Sequence, residues 1–179
     1  MAATGPVDAK AQRSMDLDRL LIRPATKADA TVLQAIRAAA FAPIFSAFQE
    51  VMGEVVYDLV QRRDDAAQAT LLASLLDDDA DRRVHVAMLD GVAAGFVAVI
   101  LNRETQVGEI GLNAVAPDVA GRGIGTAMYE FALARMRQAG MRAAVVSTGG
   151  DASHAPARAA YRKAGFAIEF PSVFFCREL

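Results

Sequence analysis

The sequence predicts an α/β domain, a mixed sheet with helices on both faces. Three observations carry that prediction. Apolar residues keep a helical period from residue 29 to 76 and then change to short strand-like runs from residue 83 onward. Asp90-Gly91 joins two such runs, and this dipeptide supplies the positive φ angles of a tight hairpin turn. Beyond it strand and helix alternate twice, with Gly140 and Gly165 as helix stops.

Taken in order, Leu20-Leu21-Ile22-Arg23-Pro24 reads as the first strand, and residues 29–41 as a helix, with Val32, Leu33 and Ile36 on one face. Residues 45–63 form a second amphipathic helix, and residues 66–76 a third. Phe45, Phe48, Phe174 and Phe175 are expected to pack as core. Residues 83–89 and 92–101 make the hairpin, and residues 108–115 form the strand that pairs next and stops at Pro117. Residues 127–138 form a helix whose Met128, Phe131 and Ala132 share a face with Ile124. Residues 142–148 read as a buried strand ending at Gly149-Gly150. A last helix covers 156–164, with Asp151 and Ser153 as candidate caps. The apolar run 166–175, broken at Pro171, reads as two strands. Residues 1–17 read as a mobile tail ahead of one domain spanning 18–179, and Asp77 to Asp81 as an exposed loop.

Composition narrows the function classes. Nineteen basic and 21 acidic residues leave a formal charge of -2, without the basic excess of a nucleic-acid binder. Cys176 is the only cysteine, and His85 and His154 the only histidines, so no metal-ligand spacing is present. Cys176 itself reads as a buried apolar thiol. Hydrophobic residues make up 54% of the chain, yet no uncharged run approaches the roughly 18 residues of a membrane span. The expectation is a cytoplasmic protein that binds no membrane. The apolar excess makes a homodimer plausible.

The stretch Gly121-Arg122-Gly123-Ile124-Gly125-Thr126 lies between a strand and a helix. Glycines let a phosphate approach the backbone, unpaired first-turn amides point at it, and the helix dipole favours negative charge there. A P-loop would need Lys after its last glycine, and a dinucleotide fold would place the loop after its first strand. Neither fits. An empty strand-to-helix turn would use the same glycines.

Two motifs settle on one family. Val115-Ala116-Pro117 followed by Ala120-Gly121-Arg122-Gly123-Ile124-Gly125 resembles the acyl-CoA segment of the GNAT superfamily of N-acetyltransferases. His154 to Phe166 is similar to its second signature, Asn-x-x-Ala-x-x-x-Tyr-x-x-x-Gly-Phe, with Ala157 and Tyr161 at the named positions. The chain departs at Ala120, where the family commonly has Arg or Gln, and at His154, where it often has Asn.

The resemblance implies a largely antiparallel sheet with a splayed strand pair at the acyl-CoA site, and acetyl-CoA as cosubstrate. Backbone groups of Asn113, Ala114 and Val115 would bind pantetheine, with little weight on side-chain identity there. Gly121, Arg122, Gly123, Ile124, Gly125 and Thr126 would hold pyrophosphate, and His154 and Ala157 would flank the cofactor. Tyr161 matches the family's acid for the thiolate. Glu109 stands at the spacing of the general base in one branch of the family. On a regular strand it would face the same side as Val115. The implied reaction is transfer from acetyl-CoA to a primary amine of a small molecule, peptide or protein by direct attack in a ternary complex. An idle acyl-CoA-binding module and a nucleotide-binding protein are the alternatives.

Overall fold

The computed structural model describes residues 18–77 and 79–179; the tail expected over 1–17 lies outside them. Five strands, β1 (Leu20–Pro24), β2 (Arg82–Leu89), β3 (Val92–Asn102), β4 (Val107–Val115) and β5 (Ala143–Val146), form one sheet in chain order. The first four pair antiparallel and β5 joins β4 in parallel, so the sheet is mixed and largely antiparallel as expected. Asp90 and Gly91 both adopt positive φ, 53° and 80°, and close the β2–β3 hairpin.

Helices cover both faces. Helices α1 (Ala30–Met52) and α3 (Arg62–Leu75) place Leu33, Ile36, Leu72 and Leu75 against Val84, Val86, Phe96 and Ala98. On the other face, α4 (Ile124–Gln138) and α5 (Ala155–Lys163) place Met128, Ala132, Met136 and Tyr161 against Val97, Val99 and Ile110. Gly108 permits this contact, since a Cβ there would lie 2.5 Å from the Met136 side chain.

The first two expected helices are one. Helix α1 runs through Pro43, whose missing N–H leaves the carbonyl four residues earlier unpaired on an exposed stretch where water can satisfy it. The chain breaks instead at Gly53, with φ 74°, inside the stretch read as the second helix. A short helix, α2 (Glu54–Val56), and a π-helical turn (Tyr57–Gln61) then lead directly into α3. The helical segment Lys27–Met52 has the length and mean hydropathy, 1.4, of a membrane-spanning helix. Its Leu33 and Ile36 are buried against the sheet, and the rest of the helix is partly or fully exposed.

Four further expectations fail at the C-terminal side: a buried last strand, two strands beyond it, Phe174 and Phe175 as core, and a buried Cys176. Strand β5 is not buried: it forms the sheet edge, with Val145 47% exposed. Residues 166–179 form no strand, and Ile168, Phe170, Phe174 and Phe175 are exposed. An apolar run becomes a strand only where it finds an edge to pair with, and Pro171 removes a donor from the middle of this one. Cys176 is exposed in the same segment. In the acidic loop Asp77 pairs with Lys27 at 2.9 Å and Asp81 with Arg103 at 2.7 Å, while Asp79 accepts from the amides of Asp81 and Arg82.

His85, 4% exposed, packs edge-on to Phe131, and its Nδ1 has no hydrogen-bond partner among the described residues. Burial, reinforced by the nearby charges of Arg135 and Arg83, lowers its pKa to about 4. The unfolded chain therefore binds the proton first, so this contribution to stability is complete above the unfolded pKa of about 6.5. It is lost as pH falls towards 4. Urea unfolding midpoints should decline over that interval, and His85→Leu should flatten the decline; an equal slope in both proteins would contradict it.

Candidate active site

A bulge in β4 shapes the site. Val99 pairs with Ile110 and Val97 with Asn113, so two steps along β3 match three along β4, and Gly111 and Leu112 share the space opposite Ala98. Gly111 suits that crowding, because a Cβ on it would lie 2.9 Å from Ile100. Strand β5 follows β4 only from Val107↔Ala143 to Ile110↔Val146. Beyond Ile110, β4 continues to Val115 paired with β3 alone, which leaves its other edge open from Gly111 onward. The strands splay as expected.

The bulge corrects one geometric expectation. The extra residue inverts the alternation, so Glu109, paired with Ile100, faces α1 and α3, whereas Val115 faces α4 and α5. The two are on opposite sides of the sheet.

A cavity of about 980 Å³ runs along the open edge. Its walls include Glu109, Asn113, Ala114, Val115, Gly121, Gly123, Ile124, Gly125, Thr126, His154, Ala157 and Tyr161. Of the residues expected at the site, Arg122 alone is not part of the wall. The opposite wall is formed by α1 and α3, through Phe41, Phe45, Phe48, Asp65, Gln68 and Leu71. Phe45 and Phe48 are thus cavity wall, not core. Both lie on the half of α1 that runs past Pro43, which also lines the cavity.

Gly121 (φ 79°) and Gly123 (φ 95°) turn the chain into α4, and no side chain caps that helix. Its first amides have no intrahelical partners and sit beside the cavity. Gly125 has an ordinary helical φ; a Cβ on it would make only van der Waals contacts, 3.6 Å to Val115 and 4.0 Å to Tyr129. A cradle of bare backbone with the positive end of a 15-residue helix fits the pyrophosphate of coenzyme A.

A hydrogen-bond chain crosses the splay. Asn113 Nδ2 donates to the Gly111 carbonyl at 2.9 Å and to Tyr161 Oη at 3.2 Å, and its Oδ1 accepts from Tyr129 Oη at 2.8 Å. The tyrosine rings lie 4.6 Å apart. Burial, then the neighbouring Tyr161, pushes the Tyr129 pKa up, keeping it a neutral donor. The side chain of Asn113 therefore carries more weight than the sequence reading gave it. Tyr129 was not foreseen; its helical position opposite Tyr161 reads from sequence as core.

The His154 ring lies 5.8 Å from that of Phe48, tilted by 30°, and its Nδ1 lies 2.6 Å from Asp151. Burial raises the Asp151 pKa, but hydrogen bonds from Ser153 and His154 outweigh it and bring the carboxyl to about 2. Asp151 also accepts from the Ser153 amide at 2.9 Å, capping the 3-10 turn (Ala152–His154) before α5. Arg158 ties this loop down, donating to the carbonyls of Gly149 at 2.6 Å and Asp151 at 2.7 Å. Gly149 must be small: a Cβ there would clash with the Asp151 carboxylate and with His154 Nδ1.

A glycine-cradled helix terminus beside a splayed strand pair is the arrangement that the two sequence motifs imply for holding acyl-CoA. The chain belongs to the GNAT family of acetyltransferases, whose model matches residues 45–166. Among solved structures it is similar to a GNAT-family protein from Desulfovibrio desulfuricans, with 20% identity, TM-score 0.64, and 84% of this chain and 87% of that one covered. It is also similar to the aminoglycoside N-acetyltransferase AAC(6')-Iy bound to a bisubstrate analogue, with 16% identity, TM-score 0.59, and 89% and 99% covered. A Brucella melitensis GNAT acetyltransferase in complex with acetyl-CoA aligns with 23% identity, TM-score 0.56, and 85% and 91% covered. No curated protein sequence matches the chain.

Proposed function

We propose that the protein transfers an acetyl group from acetyl-CoA directly to a primary amine in a ternary complex. The observation that carries this reading is the single cavity joining the glycine cradle and open β4 edge to a second wall on α1 and α3. Donor and acceptor can meet there without a covalent enzyme intermediate.

The pyrophosphate rests on the amides of residues 121–126, and pantetheine runs along the open edge from Gly111 to Val115. The amine nitrogen attacks the thioester carbonyl carbon, backbone donors of that edge stabilise the oxyanion, and the C–S bond breaks. Tyr161 then protonates the thiolate. Asn113 occupies the acceptor side of the Tyr161 oxygen, leaving the phenolic hydrogen for the sulfur. Glu109, on the α1/α3 face of the sheet, takes the amine proton directly or through water. Steady-state rates with both substrates varied test the order of events: intersecting double-reciprocal lines are expected, and parallel lines would indicate an acetyl-enzyme instead.

Ala120 lines the cavity where the family commonly carries Arg or Gln. Ala120→Gln adds a donor towards the pyrophosphate and should tighten acetyl-CoA binding about five-fold. Calorimetry that finds no gain would remove the pyrophosphate from this side of the loop.

A further inference from the structure

Asp65 on α3 is only 7% exposed yet forms part of the cavity wall. Tyr57 Oη donates to it at 2.7 Å and Gln61 Nε2 at 2.8 Å, and it has no ion-pair partner among the described residues. A carboxylate offers about four lone-pair sites, so two neutral donors leave it half satisfied. Burying a charge in that state is costly unless a cation completes it. The hydrogen bond to Asp65, then burial, raises the pKa of Tyr57 and keeps its phenol a neutral donor.

The backbone is shaped around this carboxylate. Four α-helical residues overshoot a full turn by roughly 40°, and the wider π turn at Tyr57–Gln61 takes that back, so Tyr57, Gln61 and Asp65 stack in line. An Asn at position 65 keeps the Tyr57 contact and, with the Gln61 amide turned over, the Gln61 contact as well; what the acid adds is attraction for a positive group. Arg62 cannot serve, since it pairs with Asp58 and covers the Tyr57 ring. The charged wall residues supplied by α3 and β4 are Asp65 and Glu109, both acidic, while His154 and Lys163 come from the α5 side, with the His154 ring reaching Phe48 of α1. Phe41 and Phe45, edge-to-face at 5.9 Å, add aromatic surface that suits a cation on an apolar stem.

We infer that Asp65 binds a second cationic group of the acceptor, so that the substrate is a diamine-like dication with an apolar spacer. One ammonium docks at Asp65 while the other nitrogen, deprotonated, attacks the thioester. This rests on the acetyl-transfer reading of the cavity.

The test compares 1,6-diaminohexane, 1-aminohexane and 6-aminohexanoate as acceptors for the full chain and for Asp65→Asn, which keeps the shape and the Tyr57 contact. In the parent protein kcat/KM should favour the diamine over the monoamine by about ten-fold or more, carried mainly by KM, with the amino acid poorest. In Asp65→Asn that ratio should collapse towards one, with acetyl-CoA affinity reporting that the fold is intact. A parent ratio near one, or the same ratio in both proteins, overturns the assignment. If neither protein acetylates any acceptor, the transfer reading has failed, and calorimetry of 1,6-diaminohexane against each protein saturated with coenzyme A decides separately. Binding about ten-fold weaker in the variant upholds Asp65; equal or undetectable binding in both overturns it.

Discussion

Tyr161→Phe should lower kcat by about a hundred-fold or more while leaving acetyl-CoA affinity within about three-fold. The ring is held by packing that phenylalanine preserves, 4.6 Å from Tyr129 and 6.0 Å from Phe166. Asn113 keeps its bond to the Gly111 carbonyl and loses only the longer one to the phenol, so the structural cost is about one neutral hydrogen bond, ~1 kcal/mol. What disappears is the proton for the departing thiolate. Without it, the C–S bond must break to an unprotonated leaving group. Pre-steady-state release of free thiol, read beside calorimetric binding of acetyl-CoA, separates these effects. A turnover loss below three-fold would mean that another donor serves the sulfur, and a parallel loss of binding would make Tyr161 a packing residue.

Gly125→Ala should move stability and binding in opposite directions. Position 125 lies in the first turn of α4 with an ordinary helical φ, and an added methyl meets nothing closer than 3.6 Å. Alanine there removes glycine's entropic penalty and should stabilise the free protein by about 0.5–1 kcal/mol. The same methyl stands on the cavity wall where the pyrophosphate must approach the backbone. Loss of even two charge-assisted hydrogen bonds corresponds to a drop in affinity of about a hundred-fold. A variant that melts higher and binds acetyl-CoA far more weakly meets the prediction. Higher melting with undiminished binding would leave the glycine loop an empty turn, the alternative that its sequence alone left open.

The contrast with Gly123 is instructive. Its φ of 95° would strain any side chain, so substitution there would harm fold and binding together. Only Gly125 separates the two.

Much of this arrangement is legible in the sequence because it rests on local rules. The Asp90-Gly91 turn demands positive φ, Gly140 stops α4, and the motif spacing around Gly121 to Gly125 and Tyr161 marks the two halves of the donor site. The helical boundaries were less legible, because whether Pro43 breaks a helix depends on whether its orphaned carbonyl meets water. The β4 bulge was invisible: one extra residue between Ile110 and Asn113 leaves the apolar pattern plausible in either register, yet it decides which face Glu109 occupies. Tyr129 and Asp65 were missed for a related reason. A tyrosine on an apolar helix face reads as core, and an aspartate on a charged helix reads as surface, until the tertiary fold turns one towards Asn113 and the other into the cavity.

The most direct measurement follows both products when the protein meets acetyl-CoA and a panel of primary amines, the free thiol by absorbance and the amine by mass. Acetylated amine and free coenzyme A are expected in equal amounts, formed only when donor and acceptor are present together, with no acetyl group left on the protein. Tight binding of acetyl-CoA with no acetylated amine from any class would contradict it and make the cavity a binding module.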